Sequence, residues 1–401
     1  MAANVFITGM GIISSIGNNS EEVLQSVRKS QTGIKKSSTL NSIYRDEIPL
    51  GEVKLSDFEL LMLAEPEVKI SYSRTSLLGM IAAKEAMKNA GIENIHGFKT
   101  GLISSNTVGG MDKSEIFYRK FVSNRKKGKL KNIVTHDLGE STTQIARHLK
   151  ITHFYTTIST ACSSSANAIM LGARMIKHGM TDRMVVGGAD AISLFTLNGF
   201  NSLLILDREP CRPFDETRNG LNLGEGAGYI VLESENCVKQ SKKVPICELT
   251  GYGNACDAFH QTASSPDGNG AKLAINKALQ SAGLLPEKID YINVHGTGTP
   301  NNDLSEGVAI QNIFGNHVPL FSSTKSMTGH TLGASGGIEA VLSVMAINHK
   351  LIFPSLNFSN QMKGLTITPV KQLIENTTVN HVLSNSFGFG GNNSSLIFSA
   401  I

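Results

Sequence analysis

Apolar positions in this chain come in short runs that change period repeatedly from one end to the other. The first run, Val5-Phe6-Ile7, is β-branched and aromatic and closes on Gly9-Met10-Gly11, so a strand is expected over 4–8. Ser20-Glu21-Glu22 then opens a helix with Ser20 as the expected N-cap. Leu77, Leu78, Ile81, Ala82 and Met87 recur at helical spacing and predict a helix over 76–90, stopped by Gly91. Runs at 101–104, 184–188, 228–232, 291–294 and 396–398 read as buried strands, and a further helix is expected over 332–347. Alternation of the two kinds of run through the whole chain predicts an α/β protein.

The pattern also repeats. Lys84-Glu-Ala-Met-Lys-Asn-Ala-Gly-Ile92 echoes Asn276-Lys-Ala-Leu-Gln-Ser-Ala-Gly-Leu284, with Ala86/Ala278, Ala90/Ala282 and Gly91/Gly283 in matching places. Asn4-Val-Phe-Ile-Thr-Gly-Met-Gly11 likewise echoes Ile246-Cys-Glu-Leu-Thr-Gly-Tyr-Gly253. Two echoes in the same order predict a duplicated α/β unit, with halves at 1–245 and 246–401 and insertions in the first near 111–142 and 195–223.

Composition narrows the classes. A net charge of +4, from 37 Lys+Arg against 33 Asp+Glu, is too mild for a nucleic-acid binder. With 40 % hydrophobic and 17 % charged residues the chain is neither disordered nor short of core material. No apolar stretch is long enough for a membrane-spanning helix. Cys162, Cys211, Cys237, Cys247 and Cys256 are odd in number and lack CxxC spacing, which argues against a disulfide framework and a zinc site. The N-terminus has no basic segment of a secretory signal, so a cytoplasmic protein is expected. Segment 111–132 carries Arg119, Lys120, Arg125, Lys126, Lys127, Lys129 and Lys131 among aromatic residues. It reads either as a solvated excursion or as a face for an acidic partner or a second subunit.

Gly9-Met-Gly-Ile-Ile-Ser14 imitates a dinucleotide fingerprint, but it lacks the third glycine and a helix start at the turn, and it is rejected. Thr160-Ala-Cys162-Ser-Ser-Ser-Ala-Asn-Ala-Ile169 carries more chemistry. Small residues surround Cys162 at the expected positive end of a helix, where a thiolate is favoured and a bulky electrophile has access. A nucleophilic thiol needs proton management. His295, in Val294-His295-Gly-Thr-Gly-Thr-Pro300, and His330, in Lys325-Ser-Met-Thr-Gly-His330, both follow strands and sit by Gly/Thr turns. Gly388-Phe389-Gly-Gly-Asn-Asn393 adds a glycine loop with one large apolar side chain.

In these motifs, together with Arg212-Pro-Phe-Asp215 and Gly224-Glu-Gly-Ala-Gly228, the chain resembles the β-ketoacyl-acyl-carrier-protein synthases, the decarboxylating elongation-type ketosynthases. The resemblance runs from Phe6 to Gly391 and implies a thiolase-like fold, a five-layered αβαβα sandwich of two similar halves. It implies an acyltransferase of fatty-acid or polyketide (polyene) synthesis, with substrates carried on the phosphopantetheine of acyl carrier protein. No cofactor is expected on the enzyme itself. A homodimer is implied, with a heterodimer as the alternative, and neither nucleic acid nor membrane as partner.

The resemblance assigns Cys162 as nucleophile, His295 and His330 as donors to an enolate, and Lys325 with Glu339 as an ion pair behind them. The N–H groups of Cys162 and Phe389 would form the oxyanion hole, with Phe389 as gate. Thr297 and Thr299 match pantetheine-binding positions, and Val108 matches a position that limits acyl-pocket depth. Asn293, Glu339 and Ser384 match a monovalent-cation site; no other metal is expected. Lys69, Arg74 and Arg208 are the candidates for docking an acidic carrier protein, with Lys126 and Lys127 further out. Two departures are Asn392, where threonine is usual, and Asn222 ahead of Leu-Gly-Glu-Gly. A non-catalytic chain-length-factor-like subunit is the alternative, and Cys162 argues against it. A cysteine hydrolase lacks its third orienting group, and the His-His set disfavours initiating synthases and thiolases.

Overall fold

The computed structural model of the chain describes residues 4–68 and 70–401. Strands β1 (Val5–Ser14), β2 (Thr100–Ser105), β3 (Phe154–Ile158), β4 (Arg183–Asp190) and β5 (Gly226–Ser234) belong to the first half. Strands β6 (Cys247–Cys256), β7 (Tyr291–Asn293), β8 (Leu320–Ser322), β9 (His381–Phe387) and β10 (Asn392–Ser399) belong to the second. Among the helices that matter here, α1 is Arg74–Asn89, α2 Met111–Ser123, α3 Leu138–His148, α4 Ser164–Lys177 and α5 Leu194–Ser202. In the second half α6 is Asn269–Ala282, α7 Pro300–Phe314 and α8 Ser335–His349.

The strands run in the order β3-β2-β4-β5-β1-β6-β10-β9-β7-β8. Read from its far edge, the second half repeats the first: β8-β7-β9-β10-β6 matches β3-β2-β4-β5-β1. Directions agree as well, since β2 and β7 are each parallel to both neighbours while β5 and β10 are antiparallel to theirs. The half-sheets touch along a short seam, Phe6↔Glu248 and Ile7↔Cys247. Helices α4 and α8 lie between them; α4 packs on β2 to β5 and β10, and α8 on β4, β5 and β9. Their apolar residues (Ala166, Ile169, Ala173, Ile338, Val341, Met345) join residues from both half-sheets in one core. Outside, α1 and α3 cover the first half-sheet and α6 and α7 the second. This is the αβαβα layering of the thiolase-like fold.

The echoed residues explain the outer layers. A methyl group on Gly9 would stand 2.3 Å from the Ala86 carbonyl oxygen, and one on Gly11 2.1 Å from that of Ala82. In the second half the same distances are 2.4 Å from Gly251 to Ala278 and 2.2 Å from Gly253 to Ala274. Glycine on the strand facing alanine on the helix lets α1 and α6 approach their sheets at backbone contact. The Gly9-Met-Gly11 segment is thus a packing surface inside β1, in keeping with its rejection as a nucleotide loop.

Element bounds differ modestly from expectation. β1 extends to Ser14, α1 begins at Arg74 with Ser73 as its cap, and α8 begins at Ser335 after a 3₁₀ turn over Leu332–Ala334. The cap before Glu21-Glu22 is Asn19, not Ser20: Asn19 is extended, its side chain accepts from Glu22 N, and Ser20 is already helical. No helix among the described residues is long and apolar enough to cross a membrane.

Candidate active site

Cys162 sits on the turn from β3 into α4, and the serines after it shape that turn. Ala161 adopts φ 52°, a left-handed conformation that costs a non-glycine residue about 1–2 kcal/mol. Ser164 Oγ accepts from Thr160 N at 2.8 Å and donates to Ala161 O at 2.6 Å, holding the turn closed. The sulfur is therefore aimed away from the helix and toward the second half of the chain.

Two imidazoles meet it there. His330 Nε2 lies 3.0 Å from Cys162 Sγ, and the rings of His295 and His330 stand edge to face with centroids 5.4 Å apart. The sulfur and one nitrogen of each ring all lie within 4.8 Å of one another. His330 Nδ1 faces Ser335 Oγ at 2.9 Å. A serine hydroxyl donates or accepts, so it accommodates either tautomer of that ring.

Behind His295, Lys325 donates to the His295 carbonyl at 2.6 Å, approaches His295 Nδ1 at 3.2 Å and pairs with Glu339. An ammonium beside Nδ1 makes that nitrogen the acceptor, so the His295 proton sits on Nε2. Glu306 accepts from His295 N at 2.9 Å, Gly296 N at 2.8 Å and Asn385 Nδ2 at 3.0 Å. This one carboxylate shapes the histidine turn, and burial pushes its pKa up to about 7. Asn222 holds the neighbouring segment, its Oδ1 accepting from Cys211 N at 2.7 Å and its carbonyl from His330 N at 2.7 Å.

Electrostatics follow from burial. Both histidines are held well below their ordinary pKa by desolvation and by the Lys325 charge, so the imidazoles are neutral at physiological pH. Desolvation pushes the Cys162 thiol up to about 11, although the Phe389 and Cys162 N–H groups and Lys325 favour the thiolate. This corrects the expectation that the helix end favours a resting thiolate; burial outweighs it. The resting pair is a thiol and a neutral imidazole 3.0 Å apart, in which His330 can take the proton as sulfur attacks.

A cavity of about 280 Å³ opens over the sulfur, lined by Cys162, His295, His330, Thr297, Thr299 and Phe389 together with Phe200 and Leu221. Thr297 and Thr299 hydroxyls are 2.9 Å apart on one wall. Phe389 stacks on Phe200 of α5, with centroids 5.9 Å apart. The side chains that the sequence proposed for chemistry thus converge.

The outlying candidates fare differently. Val108 is not on the cavity wall; it packs in an apolar cluster with Ile48, Ile192, Leu197 and Leu223, a cluster that Leu221 and Phe200 share. Arg74 does not face solvent. It is buried, with Nη2 at 2.7 Å and Nε at 2.9 Å from the Glu225 carboxylate, and so is removed from the docking set. Arg208 is exposed and paired with Glu47, Lys126 and Lys127 are exposed on the segment after α2, and Lys69 lies outside the described residues. Asn293 and Ser384 are register partners on β7 and β9, both buried, and Asn293 Nδ2 donates to the Glu339 carbonyl at 3.3 Å. Asn293 Oδ1 is buried with no partner.

Sequence reasoning missed Glu306, Ser335 and Phe200. Glu306 lies 11 positions after His295, and the sole signal was a carboxylate on the inner side of a helix beginning at Pro300.

Comparison with known proteins is consistent throughout. Residues 2–236 match the model for the beta-ketoacyl synthase N-terminal domain, and residues 246–359 that for its C-terminal domain. The chain is 32 % identical over 406 residues to a Staphylococcus aureus 3-oxoacyl-[acyl-carrier-protein] synthase 2, covering 98 % of this chain and 97 % of the relative. It is 35 % identical over 410 residues to the Synechocystis protein of the same name, with coverage of 98 % and 97 %. Among solved structures, the ishigamide ketosynthase/chain length factor superposes with a TM-score of 0.95 at 30 % identity over all of both chains. The ketosynthase ApeO in complex with its chain length factor ApeC, from Xenorhabdus doucetiae, gives 0.86 at 33 % identity, covering 100 % of this chain and 98 % of that one.

Proposed function

The chain belongs to the β-ketoacyl synthase family, and from that premise we propose that it is a decarboxylating β-ketoacyl-acyl-carrier-protein synthase. The observation that carries the reading is Cys162 Sγ at 3.0 Å from a neutral imidazole, with a second imidazole edge to face against the first in the same cavity.

The Cys162 thiol passes its proton to His330 Nε2 as sulfur attacks the acyl thioester carbonyl. The tetrahedral oxygen is held by the N–H groups of Cys162 and Phe389, and loss of one such donor costs about 10²–10³-fold in rate. The pantetheine thiol leaves with the proton from His330. Malonyl-carrier protein then binds along Thr297 and Thr299 and loses its carboxylate as CO₂, or as bicarbonate where a histidine-activated water adds to the departing carboxylate. The enolate oxygen receives hydrogen bonds from His295 Nε2–H and, after the tautomer shift that Ser335 accommodates, from His330 Nε2–H. The carbanion attacks the acyl-Cys162 carbonyl and expels the Cys162 thiolate, which takes up a proton from solvent to restore the resting thiol, so the chain grows by two carbons. Lys325 and Glu339 act behind the rings, fixing the His295 tautomer.

Asn293, Ser384 and Glu339 would hold a monovalent cation. The unpartnered Asn293 Oδ1 and the oxygen-only donor set fit a hard ion, which would add positive charge beside Glu339. Arg208 is the docking cation we retain, three residues past the cavity-lining Ile205. Arg208→Glu should raise the KM for acyl-carrier protein in low salt, and an unchanged value removes it. We place the boundary of the halves near residue 245, between the two matched segments. All five cysteines are free, which supports a reducing, cytoplasmic setting. The partner subunit is a second copy, with a chain-length-factor-like chain as the alternative that a mass measurement of the native assembly separates.

The test is incubation with malonyl-carrier protein and a panel of acyl-carrier proteins, read by intact-protein mass. Acyl-enzyme and product extended by two carbons are expected from the parent, and neither from Cys162→Ala. Condensation by Cys162→Ala at the parent rate overturns the reading.

A further inference from the structure

One side chain joins the glycine loop to the nucleophile turn. Asn392 opens β10 directly after the loop that carries Phe389. Its Oδ1 accepts from Ser163 Oγ at 2.8 Å, Asn167 Nδ2 at 2.9 Å and Asn254 Nδ2 at 2.9 Å. Ser163 and Asn167 lie one and five positions past Cys162, and Asn167 also donates to Thr160 Oγ1 at 2.9 Å. Asn254, on β6, anchors the group further by donating to Asn167 Oδ1 at 3.1 Å. The Asn392 main chain holds the other end, since its carbonyl accepts from Gly388 N at 2.9 Å. Gly388 lies against the turn itself: a methyl group there would stand 3.0 Å from Thr160 O and 3.2 Å from Cys162 N.

The Asn392 amide oxygen has two lone pairs and faces three donors, so all of its acceptor capacity is used in tying the two segments together. Without it the donors are not all orphaned. Ser163 Oγ has Thr160 O at 2.8 Å and Asn167 has Thr160 Oγ1 as second partners. Loss of the Asn392 oxygen therefore leaves the nucleophile turn held by its own bonds and frees the glycine loop from it, rather than unfolding the chain.

We propose that Asn392 is a positioning residue for acyl transfer, a clasp that keeps the Cys162 and Phe389 N–H groups at the spacing a thioester oxygen requires. The proposal rests on the ketosynthase reading. The test measures the rate of acyl-enzyme formation against acyl-carrier-protein concentration, beside alkylation of Cys162 by iodoacetamide, which needs the thiol but no oxyanion hole. Asn392→Ala should lower the maximal acylation rate about tenfold to a hundredfold, as misplacement of reacting groups does. The half-saturating concentration and the alkylation rate should both stay within about twofold, because docking and thiol are untouched. Asn392→Asp, which keeps an oxygen acceptor in place, should recover to within about threefold of the parent.

Parent-like acylation by Asn392→Ala, an equal fall in alkylation and acylation, or an Asp variant as poor as Ala each overturns the clasp. Should Asn392→Ala not fold, Asn254→Ala removes one of the same donors; a smaller fall of the same kind is expected, and parent-like acylation counts against the proposal. A parent that forms no acyl-enzyme sinks the ketosynthase reading and the clasp with it, whereas an active parent beside an equally active Asn392→Ala sinks the clasp alone.

Discussion

Replacing Lys325 with methionine keeps most of the side-chain volume and removes the ammonium that holds Glu339 and His295. The pair is nearly solvent-free, with 2 % and 3 % of the two side chains exposed. Glu339 is left with one other contact, Ser386 Oγ at 3.4 Å. Breaking a buried pair by removing one partner costs about 3–5 kcal/mol, against a total stability of about 5–15 kcal/mol for a typical domain. At about 2–4 °C per kcal/mol for domains of 150–250 residues, and less for longer ones, a fall in Tm of about 5–10 °C is expected.

The stranded carboxyl can relieve itself by taking a proton. Its folded-state pKa is raised by burial and rises further without Lys325, so its favourable contribution is present at low pH and is lost as pH rises through that folded value. The deficit of Lys325→Met should therefore be larger at pH 8 than at pH 5.5. Adding Glu339→Gln removes both charges and should recover most of the lost stability. Decarboxylation of malonyl-carrier protein should stay at least about tenfold down in both variants, since His295 loses its fixed tautomer. Thermal unfolding at matched protein concentrations and CO₂ release are the assays. A parent-like Tm for Lys325→Met at pH 8, a deficit that shrinks with rising pH, or a double variant no more stable than the single one refutes the argument.

Because desolvation and Lys325 hold both imidazoles well below their usual pKa, the acid limb of kcat should lie clearly below pH 6.5; a limb at 6.5 or above in a pH–rate profile contradicts the electrostatics. Gly253→Ala places a methyl group 2.2 Å from the Ala274 carbonyl and should destabilise by about 1–3 kcal/mol in chemical denaturation. Unchanged stability would show that the sheet and α6 are not in backbone contact.

The chemistry was legible in the sequence because each reactive side chain stands on a turn written in small residues, which local reasoning reads well. The duplication was legible for a related reason. Glycine facing alanine is a packing requirement, and it recurs at both β1/α1 and β6/α6. Long-range partners were not legible. Arg74 looked like a surface cation, yet Glu225, 151 positions away, draws it into the interior. Glu306 looked like one more helical carboxylate until the fold put two main-chain N–H groups in front of it. The resting state of Cys162 was misjudged because the end of a helix can be seen in a sequence and the degree of desolvation cannot. Asn19 in place of Ser20 is a shift of one residue, decided by which side chain meets Glu22 N.

The mirrored strand order pairs each strand of one half with one of the other. The segment between β3 and α4 corresponds to that between β8 and α8, and in both a non-glycine left-handed residue, Ala161 or Leu332, stands three positions before the helix begins. One of these twin corners now bears sulfur and the other an imidazole. Two identical halves could offer only thiol to thiol or base to base, so the single catalytic centre exists because the copies have drifted apart at the spot where their symmetry brings them face to face.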